Sequence, residues 1–182
     1  MRNRSIAVLA VATIAVVAPC CVWAAEAVPQ PPAEMANLAV FSGSWSCAGT
    51  TSPSPMGPAG KITSKVEGND ELGGFWRSGT VTMTGEGMPG AMKGVFRMTY
   101  DPGAKQYVLL WADSMGAWSQ ATSPGWKGDT IVFTGEGTMG GQKMTTRDSF
   151  AKGSDGTLRH DWEAQLDGKW TPLGTETCRK GA

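Results

Sequence analysis

The chain has 182 residues, 25 of them Gly, with 41% hydrophobic and 18% charged residues and a formal net charge of zero. It is too apolar for a disordered chain and too short for more than one or two ordinary domains. Zero net charge offers no basic surface for a nucleic-acid backbone, and a single His removes most metal-cluster and triad chemistry.

In chain order, the first residues read as an export signal, sending the protein out of the cytoplasm. Arg2 and Arg4 supply a positive start, Ile6 to Val17 is apolar or small, and candidate cleavage sites follow at Val22-Trp23-Ala24 and Ala25-Glu26-Ala27. A dozen helical residues span only about 18 Å, so no permanent membrane span is expected. A lipid-anchored alternative at Cys20 or Cys21 is opposed by Pro19, which stands where a small residue is needed. Residues 1–25 are thus assigned to the leader, 26–36 to a Pro-rich spacer and 37–182 to one domain. Cleavage leaves two thiols, Cys47 and Cys178. In an oxidising compartment they are expected to form a disulfide worth at most roughly 5 kcal/mol, the alternative being two separately buried small hydrophobes.

Glu34 to Phe41 predicts one or two helical turns, with Met35, Leu38 and Phe41 at every third position and Gly43 as the stop. From there the apolar pattern has period two. It predicts strands at Ser44–Thr50, Lys61–Gly68, Phe75–Thr84, Met92–Asp101, Gln106–Asp113, Ala117–Ser123, Thr130–Glu136, Lys143–Ala151, Thr157–Leu166 and Lys169–Arg179. Asp101-Pro102-Gly103, Gly128-Asp129, Asp155-Gly156 and Asp167-Gly168 supply the breaks. Connections this short favour antiparallel neighbours, so the expected fold is all-β: one up-and-down barrel of about ten strands, with a two-sheet sandwich as runner-up. Thr51–Gly60, with three Pro and two Gly, is expected as a loop at one mouth.

Thr84-Gly85-Glu86-Gly87 reappears as Thr134-Gly135-Glu136-Gly137, and this echo predicts two Gly-rich loops at the same end of the barrel. Glu86 and Glu136 are candidates for a carboxylate pair or a hard-cation site, although no ligand-dense loop is present and solvated turn residues explain them as well.

The strand holding the one His carries the most chemical information. Leu158, His160, Trp162, Ala164 and Leu166 share its apolar face, while Asp161 and Glu163 fall on the other as a solvated face. His160 is therefore expected to point inward, as a core His with one hydrogen-bond partner or as an axial ligand to haem. No Ser lies in a Gly-x-Ser-x-Gly setting, and no Cys/His cluster has zinc spacing. No catalysis, metal or cofactor is expected; His160 would be a metal ligand only if haem were bound. Seven Trp from Trp45 to Trp170 and seven Met from Met83 to Met144 either line a pocket or fill the barrel. Trp111, Trp162 and His160 are the candidate ligand-binding residues.

Gly43-Ser44-Trp45 at the first strand, with Arg179 in the last, resembles the signature of the calycin superfamily, in which that Trp closes the barrel base and a late Arg packs over it. Leu38 through Trp45, Gly73-Gly74-Phe75-Trp76, Tyr100-Asp101, Thr146-Arg147-Asp148-Ser149-Phe150 and Asp167-Gly168-Lys169-Trp170 together resemble the bacterial family called domain of unknown function 1579. The resemblance covers about residues 36 to 180. It implies a calycin-like barrel and no established activity. Nitrobindins are similar barrels that hold haem through a His in a late strand, but Gly43-Ser44-Trp45-Ser46-Cys47 departs from their Gly-x-Trp-x-Gly opening. The function expected is that of an exported, monomeric, non-catalytic barrel binding a small apolar or amphipathic molecule. The alternatives are a haem protein using His160 and a filled barrel that serves as an envelope interaction module.

Overall fold

A computed structural model describes residues 28–54 and 57–181. The expected leader, with Arg2, Arg4, Cys20, Cys21 and both candidate cleavage sites, lies outside the described residues. A 3₁₀ segment at Ala33–Phe41 leads into β1 (Gly43–Thr51), β2 (Gly60–Glu71), β3 (Trp76–Gly85), β4 (Met92–Asp101), β5 (Gln106–Asp113) and β6 (Trp118–Ser123). After these come the short β7 (Trp126–Lys127), β8 (Thr130–Met139), β9 (Gln142–Lys152), β10 (Leu158–Leu166) and β11 (Lys169–Lys180).

Every strand pair is antiparallel, and each strand pairs with its sequence neighbour, except that β7 is a two-residue ribbon on β8 while β6 pairs with β8 directly. The β1–β11 pairing joins the two ends of the meander, so ten strands close into a barrel. Closure satisfies edges that a sandwich would leave open. Two of the two-residue hairpins have positive φ at both turn positions. Asp167 and Gly168 join β10 to β11, and Gly140 and Gly141 join β8 to β9, all four at positive φ, as the right-handed twist of the flanking strands requires.

The seam is covalently locked. Cys47 and Cys178 face each other across β1 and β11 and are disulfide-bonded. One end is plugged by the 3₁₀ segment. The every-third spacing of Met35, Leu38 and Phe41 is the 3₁₀ period itself, so all three side chains fall on one edge, and all three are buried. The plug is also held by polar contacts. Asn37 Nδ2 donates to the Tyr107 hydroxyl at 2.8 Å, and Trp126 Nε1 donates to the Asn37 carbonyl at 3.1 Å. Buried Arg77 bonds Ser42, which caps the segment, and Asp70.

The second copy of the echo corrects an expectation. Thr84-Gly85-Glu86-Gly87 does end β3 in a turn, but Thr134-Gly135-Glu136-Gly137 lies inside β8. There Gly135 and Gly137 allow a close approach to β6, since a Cβ on either would overlap the β6 backbone. Glu136 is exposed opposite Gln120 and Thr145, and three strands separate β8 from β3, so Glu86 and Glu136 form no carboxylate pair.

Candidate functional site

The barrel is not filled. Its interior holds a cavity of about 340 Å³ that reaches the mouth formed by the β1–β2, β3–β4 and β5–β6 connections. The volume falls at the lower end of the roughly 300–1,000 Å³ range typical of small-molecule sites. Trp111, Trp162 and His160, singled out from the sequence, all line it, together with Trp45, Phe96 and a run of methionines from Met83 to Met139.

Glycines keep this lumen open. Gly94 and Gly174 offer bare backbone against which the Trp111 and Trp162 rings lie; a Cβ at either glycine would overlap the ring. Gly79 does the same for Phe96. Large aromatic rings are thereby laid flat on the wall instead of projecting across the lumen. Trp111 is fixed further by donating from Nε1 to Asp113 Oδ2 at 3.1 Å. Asp113 in turn accepts from the backbone N–H groups of Met115 and Ala117 in the β5–β6 turn.

One polar cluster interrupts the apolar wall. His160 Nε2 lies 3.0 Å from Asp148 Oδ1, and Nδ1 lies 3.4 Å from Glu176 Oε1. Glu176 Oε2 accepts from the Ser64 hydroxyl at 2.5 Å. The imidazole stacks on Phe150, with centroids 4.3 Å apart and planes 8° apart, and Trp162 stands 5.1 Å away. Burial alone would lower the His160 pKa, but the hydrogen bonds and charges of Asp148 and Glu176 outweigh it and raise the pKa to about 9. At neutral pH the group is an imidazolium. For Glu176 burial pushes the other way, and the His160 and Ser64 contacts hold its carboxyl below the ordinary value.

His160 points inward, as the strand pattern predicts, but it has two carboxylate partners in place of one partner or none. Both come from neighbouring strands: Asp148 opposite Trp162 on β9, and Glu176 opposite His160 on β11. The solvated face assigned to Asp161 and Glu163 also needs correcting. Glu163 pairs with Arg147 across β9 at 2.7 Å and is only 20% exposed, and the Arg147 guanidinium also lies 4.2 Å from the centre of the Trp170 ring. Asp161 is bound by Arg159.

Trp45 is buried and Gly43 takes a positive φ of 87°, but Arg179 does not pack over that indole. Its side chain is 69% exposed and faces Asp155, while Lys180 Nζ sits 5.4 Å from the Trp45 ring centroid. Strand parity is the cause: Trp45 pairs with Lys180 in the β1–β11 register, and Cys47 with Cys178, so Arg179 between them faces out. Among the described residues, Cys47, Glu176 and Cys178 are the group whose potential metal-ligating atoms all lie within 4.8 Å of one another, and the two sulfurs there are bonded to each other.

A family model described as a protein of unknown function, DUF1579, matches residues 30–180. The crystal structure of Rv2717c from M. tuberculosis is similar in fold, with a TM-score of 0.64 and 15% sequence identity. The match covers 85% of this chain and 100% of that one. No curated protein matches the sequence.

Proposed function

The chain belongs to the DUF1579 family, whose description assigns no activity, and we propose that it is a non-catalytic binding protein for a small amphipathic molecule held in the barrel lumen. The observation that carries this reading is the cavity of about 340 Å³, walled by aromatic and thioether side chains and plugged at one end. Methionines give such a wall adaptable contact, and Trp111 and Trp162 give it rigid area. The disulfide at the seam supports a protein that works after export, in the periplasm or outside the cell. No helix among the described residues is long and apolar enough to cross a membrane.

Haem ligation through His160 has less support. An axial ligand must present a neutral ring nitrogen to iron, and here both ring nitrogens are committed to carboxylates. The test is titration with the neutral dye Nile red, read by dye emission and by quenching of Trp emission. Saturable binding at micromolar affinity, about −8 kcal/mol, is expected. Absence of saturable binding for Nile red and for a panel of retinoids, isoprenoids and short-chain amphiphiles would replace this reading with that of a surface-interaction module.

A further inference from the structure

We propose that the molecule held in the lumen is an organic cation: a protonated amine on an apolar body, its ammonium seated on β9 beside Asp148 and Thr146. The proposal rests on reading the lumen as a binding site and adds the chemistry of the ligand's polar end.

The sign of the wall carries it. Among the described residues lining the cavity, Glu86, Asp113, Asp148, Glu163 and Glu176 are acidic, none is Lys or Arg, and His160 alone can carry positive charge. His160 is not free to receive an anion, because Asp148 and Glu176 occupy both of its ring nitrogens. Two carboxylates around one imidazolium leave the cluster at a net charge of −1. A fatty-acid carboxylate entering this lumen would meet acidic groups and no uncommitted cation.

Asp148 is the acceptor left with capacity deep in the wall. Glu176 uses both oxygens, on His160 and Ser64, and Asp113 uses both on Trp111 and its own turn. Glu163 is neutralised by Arg147, and Glu86 is exposed at the mouth, where it accepts from the Lys61 N–H. Asp148 has only Oδ1 engaged, which leaves Oδ2 to accept.

Thr146 supplies an independent pointer. It lies two residues before Asp148 on the same inward face of β9, it lines the cavity, and it is only 9% exposed. Its Oγ1 has no hydrogen-bond partner. A buried hydroxyl left unpaired is rare in a folded protein, and a ligand N–H would satisfy it. Trp162, the cross-strand partner of Asp148 on β10, also lines the cavity, and an indole face attracts cations. The same cavity thus offers an ammonium a carboxylate oxygen, an unpaired hydroxyl and an indole, and its apolar remainder accepts the hydrocarbon.

The experiment uses n-octylamine, n-octanol and n-octanoate, equal in chain length and different in charge, each displacing Nile red from the full-length mature protein at neutral pH. The amine should bind roughly tenfold tighter than the alcohol, with the carboxylate weakest. In Asp148→Asn the amine's advantage should collapse to near parity while Nile red still binds. Equal affinities, or a preference for octanoate, would overturn the cation proposal and leave the lumen reading standing. The native protein alone decides this, so a poorly folding Asp148→Asn does not block the test, and Thr146→Val gives a second variant in which the amine should weaken. Failure of Nile red and all three probes to bind would overturn the lumen reading itself.

Discussion

The indole of Trp162 lies directly against Gly174, its partner across β10 and β11, with no room for a Cβ between ring and strand. The glycine is there for the ring and not for a turn, since Gly174 is within β11 and its φ is not positive. Gly174→Ala should push the indole off the wall and into the lumen. The expected outcome is a loss of roughly 1–3 kcal/mol in denaturant unfolding, as for other overpacked cores, together with weaker Nile red binding. Gly156→Ala, in a turn with open space around it, should strain its own backbone but leave dye affinity unchanged. Comparing the two variants separates loss of cavity from loss of stability.

The disulfide ties the first barrel strand to the last across 131 residues. Unfolding with the bridge intact leaves a large closed loop, so reduction should lower stability by about 2–5 kcal/mol. Denaturant melts with and without reductant check this, and a tryptic map of exported protein without reductant should show the Cys47 and Cys178 peptides linked. Free thiols at both positions would contradict it.

Most of the strands were legible because period-two patterning and tight-turn residues such as Asp167-Gly168 act locally. The helical segment before β1 was legible for the same reason, from the every-third spacing of Met35, Leu38 and Phe41, but its place as a plug depends on strands far along the chain. What lay beyond one strand was harder. The width of the lumen depends on whether Trp111 and Trp162 project or lie flat, and that is set by Gly94 and Gly174 on neighbouring strands. Alternation along β10 alone does not reveal Asp148 and Glu176 as partners of His160, for a related reason: they stand on β9 and β11. A signal existed: Glu176 is two residues before Cys178, and Asp148 two before Phe150, so any inward assignment of the later residue carries the earlier one inward. The same parity, with Cys47 opposite Cys178, would have placed Lys180 over Trp45 instead of Arg179.

Haemin offers a discriminating probe of His160. An iron bond would require breaking the contact with Asp148 or with Glu176, leaving a partly buried carboxylate without its cation. Added haemin is expected to give no sharp Soret band that depends on this residue. A stoichiometric band present in the native protein and lost in His160→Gln would show that the cluster opens, and would make haem the ligand to study.

The last prediction concerns pH. His160 is protonated more tightly in the folded chain, at about 9, than at its ordinary 6.5, so folding favours the charged ring. The stabilisation is fully present below pH 6.5 and is lost as the pH rises through about 9, when the folded imidazolium gives up its proton. A shift of this size corresponds to a loss on the order of 3 kcal/mol between those limits. Glu176 works in the opposite direction: its lowered pKa contributes stability above its unfolded value that is lost as the pH falls, so the cluster is strongest between the two titrations. Denaturant melts across the alkaline range should show the decline, and His160→Gln should flatten it while lowering stability throughout. Because the chain holds one His, its ring resonances need no assignment, and an NMR titration reads the folded pKa directly. A midpoint near 6.5 would mean that the carboxylates do not hold the ring as an imidazolium. The ring would then be largely neutral at physiological pH, and the two carboxylates would leave a stronger net negative charge facing the lumen.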